Sequence, residues 1–316
     1  MTLRKVKIKK VFIFLSVIFI IVNVIAYMHA YKLTHFTNAS TVKTQSPDKL
    51  SWLKKLTTLF TGVSNPRPVN TTLPAQPFET IYLQSNKQIE CWLIRHDSAK
   101  GTVIIFHGYG GHKSSMLDKA DKFLALGYNT LLVDFMGSGG SEGKQTTIGF
   151  MEAEQVYTSY EYLANKGEKN IVLFGTSMGA VAIMKAIHDH NIQPQALILE
   201  CPFGTMYRTV AARFNNMNLP AFPMAHLLVF WGGVQNKFWA FTHEPVAYAK
   251  KIKSPVLLMY GEKDKNVSRQ EIDEIYSNIS AAKTLVTYPL AGHENYLTKY
   301  DSAWTNDVRY FLIAGK

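Results

Sequence analysis

From residue 78 onward, short apolar runs alternate with stretches of helical periodicity, and this alternation leaves few folds open to the chain. Runs at 78–84, 88–95, 102–106, 128–134, 170–174, 196–201, 255–260 and 285–288 are rich in Val, Ile and Leu and lack clean two-residue alternation. Strands covered on both faces have this character. Helical stretches fall between them at 114–126, 148–165, 178–188, 268–277 and 296–312. The first two runs read as a strand pair across a turn at Asn86. Beyond them, strand–helix alternation predicts an α/β architecture. It is a mostly parallel eight-stranded sheet with helices on both faces, and ligands gather at the carboxyl ends of the strands. The rhythm breaks once, at 204–253, where fifty residues separate two strands.

Gly175-Thr176-Ser177-Met178-Gly179 follows the run at 170–174 and opens an Ala-rich helix. Glycines in such a turn let the backbone pass close to a neighbouring strand and leave the Ser177 hydroxyl free at the tip. The helix N-terminus then points amide donors at a developing anion. An ordinary Gly-rich strand–helix turn is the bland alternative. His107-Gly108-Tyr109-Gly110-Gly111 follows the run at 102–106. Its glycines let backbone N–H groups face the pocket, so the Tyr109 and Met178 N–H groups would together form an oxyanion hole. His107, at the strand end before the glycines, reads as structural. Asp264 and His293 occupy the loops after the runs at 255–260 and 285–288, on the side of the sheet expected for Ser177. Ser177, Asp264, His293 is the nucleophile–acid–base order of this elbow type. His293 would take the Ser177 proton and later protonate the leaving group, while Asp264 fixes its tautomer and stabilises the imidazolium. The remaining histidines, His188 and His190 among them, read as solvated.

The set HGYGG, DFMGSGGSEG, GTSMG, GEKD and AGHEN, in this order, resembles the α/β-hydrolase superfamily over residues 78–313. Within it the chain is similar to the serine hydrolases grouped with monoglyceride lipases and serine aminopeptidases. The resemblance implies Ser177 as nucleophile, His293 as base, Asp264 as acid, Tyr109 and Met178 as oxyanion donors, and a lid formed by 204–253. Met136 departs from the Arg that this branch often carries, and Asp134 in the same motif is then structural.

Other signals fail. A Walker A loop ending at Gly143-Lys144 lacks the required Gly at 138 and Ser or Thr at 145. His293-Glu294 does not extend to a zinc motif, because Leu297 occupies the second ligand position. Ser177 at the elbow excludes the Asp nucleophile of dehalogenases, and neither a cofactor nor a metal is indicated. The lid carries Tyr207, Phe214, Phe222, Phe230, Trp231, Phe238, Trp239, Phe241 and Tyr248, which would line an apolar pocket for an acyl group. Packing of the lid onto the body is the competing use of each. Glu244 is the lid's one acidic residue; since the aminopeptidases that the chain resembles hold a substrate ammonium with lid carboxylates, the resemblance then implies an ester or thioester rather than a peptide N-terminus.

Before residue 78 the chain is different. Arg4, Lys5, Lys7, Lys9 and Lys10 precede an apolar run from Val11 to Met28, interrupted only by Ser16 and Asn23. Eighteen helical residues span ~27 Å, close to a bilayer's hydrocarbon thickness. A cleaved signal peptide shares this pattern, but the apolar run exceeds its usual length and no clean Ala-x-Ala site follows. Basic residues before the span place the N-terminus in the cytoplasm and the body outside. Residues 29–77 read as a stalk, a short amphipathic helix near 50–59 and a Pro-rich linker, with the hydrolase domain at 78–316. The amphipathic helix would lie on the membrane or pack on the domain. The formal net charge of +11 follows this division. The first sixty residues hold ten basic residues against Asp48 alone, and the remainder holds 24 basic and 22 acidic. A nearly neutral body disfavours nucleic acid as a partner. Cys91 and Cys201 are too few for a disulfide scaffold or a four-Cys zinc site, and are expected as buried free thiols on well-separated strands.

The reading is a membrane-anchored serine hydrolase, held through residues 11–28, that cleaves an apolar carboxylic ester, a small-molecule substrate, through an acyl-enzyme. Acyl transfer, thioester or peptide hydrolysis on the same triad, or a catalytically silent binding protein, are the alternatives.

Overall fold

The computed structural model describes residues 2–42, 44 and 51–314. Positions 43 and 45–50, which belong to the expected stalk and the start of the amphipathic helix, lie outside the described residues, as do 1, 315 and 316. Among the described residues eight strands form one sheet. They are β1 (Phe78–Gln84), β2 (Gln88–Ile94), β3 (Thr102–Phe106), β4 (Asn129–Val133), β5 (Ile171–Thr176), β6 (Ala196–Glu200), β7 (Val256–Gly261) and β8 (Lys283–Tyr288). Their order is β1-β2-β4-β3-β5-β6-β7-β8. The β1–β2 and β2–β4 pairs are antiparallel, and every pairing from β4 to β8 is parallel. The α/β class, the strand number and the mostly parallel sheet match the sequence-based expectation.

Uniformly apolar strands are explained by cores on both faces. In β3, Ile104 and Phe106 enter one core and Val103 and Ile105 the other, and all four are fully buried. The first core is closed by α4 (Glu152–Ala164), α5 (Met178–His190) and α9 (Arg269–Asn278). The second is closed by α3 (Leu117–Ala125), α10 (Tyr296–Lys299) and α11 (Asp301–Ala314). Between β6 and β7 the insertion forms α6 (Met206–Asn215), α7 (Met224–Gln235) and α8 (Pro245–Tyr248). The helix predicted from residue 148 starts at Glu152. The buried Glu152 carboxylate accepts the Thr147 and Gly149 N–H groups (2.9 and 3.0 Å) and both threonine hydroxyls of 146–147, holding these residues as a turn.

The N-terminal helix α1 (Thr2–Thr34) continues well past residue 29, where the stalk was expected. Its Ile8–Thr34 portion is long and apolar enough to cross a membrane, and Phe12 and Phe19 are exposed. The last turns of α1 pack on the insertion. Trp231 Nε1 donates to Asn23 Oδ1 (3.1 Å), Gln235 Nε2 donates to the Tyr27 carbonyl (2.8 Å), and Tyr27 meets Trp231 edge-to-face. α2 (Trp52–Thr61) follows, started by the Ser51 side chain accepting the Lys54 N–H. The Pro-rich stretch then runs extended against the body. The Arg67 guanidinium donates to the carbonyls of Gly139, Ser141 and Gly143, and Asn70 Nδ2 donates to Asp134 Oδ2 (2.7 Å).

Candidate active site

Because β3 and β5–β8 run parallel, their carboxyl ends meet on one edge, and the loops bearing His107–Gly111, Ser177, Asp264 and His293 all emerge there. The turn at Ser177 is tight: φ is 52° and ψ −111°, backbone that a side chain adopts only at a cost. The flanking glycines are required by close approach. A Cβ at Gly175 would lie 2.6 Å from the Ala180 nitrogen, and one at Gly179 only 2.5 Å from the Phe106 carbonyl oxygen.

The structure brings the three expected residues together. Ser177 Oγ lies 2.9 Å from His293 Nε2, and His293 Nδ1 lies 2.7 Å from Asp264 Oδ2. The Asp264 side chain is fully buried, and its Oδ1 accepts the N–H groups of Asn266 (2.7 Å) and Val267 (3.0 Å). A carboxylate so fixed holds the proton of neutral His293 on Nδ1, which leaves Nε2 to accept from the serine hydroxyl.

Burial works against the His293 imidazolium, but the Cys201 sulfur and the Asp264 carboxylate outweigh it and raise the His293 pKa well above 6.5. A general base acts only when unprotonated. The acidic limb of a kcat/KM–pH profile is therefore expected to have its midpoint above 6.5, and a midpoint at or below 6.5 would contradict this environment for His293.

The 107–111 loop lies against the elbow, since a Cβ at Gly108 would be 3.6 Å from Ser177 Cβ. Neither the Tyr109 nor the Met178 N–H donates to another group among the described residues, so both are free for an oxyanion. The Tyr109 side chain turns away from the reacting centre. Its hydroxyl donates to the Leu33 carbonyl (2.7 Å) and accepts from Asn65 Nδ2 (2.9 Å), and the Arg213 guanidinium sits 5.2 Å from its ring centre.

The other histidines are engaged elsewhere. His107 Nδ1 donates to the Gly108 carbonyl (2.8 Å) and Nε2 accepts the Phe135 N–H (3.1 Å), while burial lowers its pKa, so it is a neutral strut. His188 and His190 were expected to be solvated. His188 is exposed as expected, with Nδ1 2.8 Å from Asp189, whereas the half-buried His190 pairs through Nε2 with Glu154 (3.0 Å) and stacks on Tyr157. Asp134 is an anchor for loops. It takes Lys113 Nζ, the Lys113 N–H, the Gly140 N–H and Asn70, and burial, which would raise its pKa, is outweighed by the Lys113 ammonium, which holds it low. The lid aromatics are mostly not a pocket wall. Phe222 and Trp239 are exposed and Trp231 packs on α1.

Two features under the elbow escaped sequence reasoning. Glu200, fully buried at the end of β6, accepts from Lys119 Nζ (3.1 Å), Trp304 Nε1 (2.7 Å) and Thr176 Oγ1 (2.8 Å), and its carbonyl takes the Ser177 N–H (2.7 Å). Cys91 and Cys201 are buried free thiols, with β4, β3 and β5 between their strands. Cys201, however, stands at the site: its sulfur and ligand atoms of Asp264 and His293 lie within 4.8 Å of one another. A soft divalent cation placed there would compete with the Asp264–His293 hydrogen bond. The only advance signal was position, one residue past a strand that ends at the site edge.

Comparison with known proteins supports the fold. The family model described as serine aminopeptidase, S33, matches residues 97–245, which include the elbow but stop short of Asp264 and His293. The chain is 28% identical to the uncharacterized protein YqkD of Bacillus subtilis over 221 residues, 69% of this chain and 72% of YqkD. It is 25% identical to the lysophosphatidylserine lipase ABHD12 of Danio rerio over 208 residues, 63% of this chain and 52% of that protein. Among solved structures, the Pyrococcus furiosus esterase Pf2001 superposes with a TM-score of 0.66 at 22% identity, covering 79% of this chain and 96% of the esterase.

Proposed function

We propose that this chain, which belongs to the α/β-hydrolase superfamily, is a membrane-anchored serine hydrolase that cleaves an apolar carboxylic ester through an acyl-enzyme. The observation that carries this reading is the unbroken line of contacts from Ser177 Oγ through His293 to the buried Asp264 carboxylate. In the first half-reaction Ser177 Oγ attacks the ester carbonyl as its proton passes to His293 Nε2. The anion that forms lies between the Tyr109 and Met178 N–H groups. Collapse expels the alcohol, which takes the proton from His293. Water, activated by His293 in turn, then releases the carboxylic acid.

An ester substrate is supported by the esterase among the structural neighbours and by the lipase among the relatives. It is also supported by the lid, where Glu244 is the one carboxylate available to a peptide ammonium. Anchoring is supported by α1, with its basic residues at the N-terminal end and an exposed apolar surface. The positive-inside rule then puts the N-terminus in the cytoplasm and the hydrolase unit, from residue 78, on the outer side.

Full-length protein in detergent micelles, assayed on p-nitrophenyl esters from acetyl to palmitoyl, is expected to show a sharp optimum at medium or long acyl chains. A preference for acetyl esters, or for peptides over every ester, would refute the reading.

A further inference from the structure

Resting on that reading, we propose that the final turns of the membrane-anchor helix form one wall of the acyl-chain subsite, so that the anchor is part of the substrate site as well as a tether. A narrow seam, with a cavity of only about 30 Å³ between its walls, runs between α1, the lid and the body. Ala30, Leu33 and Thr34 supply the anchor's side, Leu228, Gly232 and Phe238 supply much of the lid's, and the body contributes Thr147 and Ile148. The lining is almost wholly apolar, which suits a hydrocarbon chain and offers little to a polar ligand.

Two contacts place the groove beside the segments that carry the candidate site, although none of the site residues lines it. Leu33 gives its carbonyl to the Tyr109 hydroxyl (2.7 Å), which ties the anchor to the loop beside Ser177. Thr146, next to Thr147 of the groove, places its hydroxyl 3.3 Å from the sulfur of Met178, the residue following the nucleophile. The groove's position also fits its occupant. Residues 30–34 come directly after the apolar run that ends at Met28, so the groove opens where a spanning helix would leave the hydrocarbon. A lipid ester in the same leaflet could feed its acyl chain between α1 and α7 without crossing water. Because the groove is narrow, the chain would enter by spreading this seam, which favours a linear acyl group over a bulky one.

Gly232 provides a direct test. It is helical, lines the groove, and a Cβ built on it meets nothing within 4 Å. Gly232→Leu is expected to fill the groove and lower the lauroyl-to-acetyl ratio of kcat/KM by on the order of tenfold or more. From the opposite wall, Leu33→Ala is expected to widen the groove and raise the ratio for chains longer than the wild-type optimum. A ratio unchanged in Gly232→Leu, whether or not the absolute rates fall, would overturn the subsite. A changed ratio in Gly232→Leu with none in Leu33→Ala would overturn the anchor's part in it. Loss of the proposed hydrolase activity itself would show separately, as a wild-type chain that cleaves neither ester.

Discussion

Ser177→Ala is expected to lower kcat for ester hydrolysis by ~10⁴–10⁶-fold while leaving the protein folded. The size of the effect follows from what the hydroxyl does. Without it no acyl-enzyme can form, and hydrolysis falls back on a water molecule held beside an oxyanion hole that alanine leaves in place. His293→Ala is expected to cost a similar factor, because an unactivated serine is a poor nucleophile. The double variant should be scarcely worse than either single one, since the two residues act as one unit. Asp264→Asn is expected to cost ~10⁴ by presenting His293 with the wrong hydrogen-bonding partner. Alanine has no hydroxyl to desolvate, so Ser177→Ala should not destabilise the fold. The comparison of kcat with a urea midpoint therefore separates chemistry from folding. Equal kcat in wild type and Ser177→Ala would mean that another group carries the reaction.

The second large effect concerns stability. Glu200 and Lys119 lie under the elbow with side chains almost fully buried, 3.1 Å apart, and Lys119 Nζ also meets Asn295 Oδ1 at 2.8 Å. A buried pair of this kind adds little net stability over apolar residues, because desolvation offsets the attraction, but removing one partner strands the other charge. Glu200→Leu is therefore expected to cost ~3–5 kcal/mol, read as a fall in the urea midpoint. It leaves the Lys119 ammonium facing only Asn295 and the rings of Phe174 and Trp304, and it strips the Trp304 N–H of its acceptor. The double variant Lys119→Met/Glu200→Leu should recover a large part of that loss. Strict additivity of the two single changes would show that the charges are not coupled.

Much of the fold could be read from the sequence because its inner strands bury both faces. A run such as Thr102–Phe106 has one physical use, a central parallel strand, and its boundaries follow from its composition. The residues of the proposed triad were legible for a related reason. Ser177 directly follows β5, Asp264 and His293 lie in the loops after β7 and β8, and parallel strands bring their ends to one edge whatever the loops do. What stayed hidden depends on tertiary packing that leaves no periodic trace. Nothing local distinguishes Ala30 or Leu33, which line the groove, from the exposed apolar residues before them. Residues 62–77, rich in proline, look like any linker, yet Arg67 and Asn70 bind them to the loops around Asp134. The lid's aromatic residues announced an apolar surface but not its direction, and the anchor and solvent take several that were expected inside. Glu200 near the end of a strand and Lys119 within a helical stretch carry no local mark; only the fold buries them together.

The central claim is that Ser177 is a nucleophile activated through His293, and covalent trapping tests it most directly. Full-length protein in detergent would be treated with a fluorophosphonate, digested, and its adduct located by mass spectrometry. The expected result is one modification, on Ser177, absent from Ser177→Ala and strongly slowed in His293→Ala. A folded wild-type protein that takes no label, or takes it at another residue, would contradict the claim.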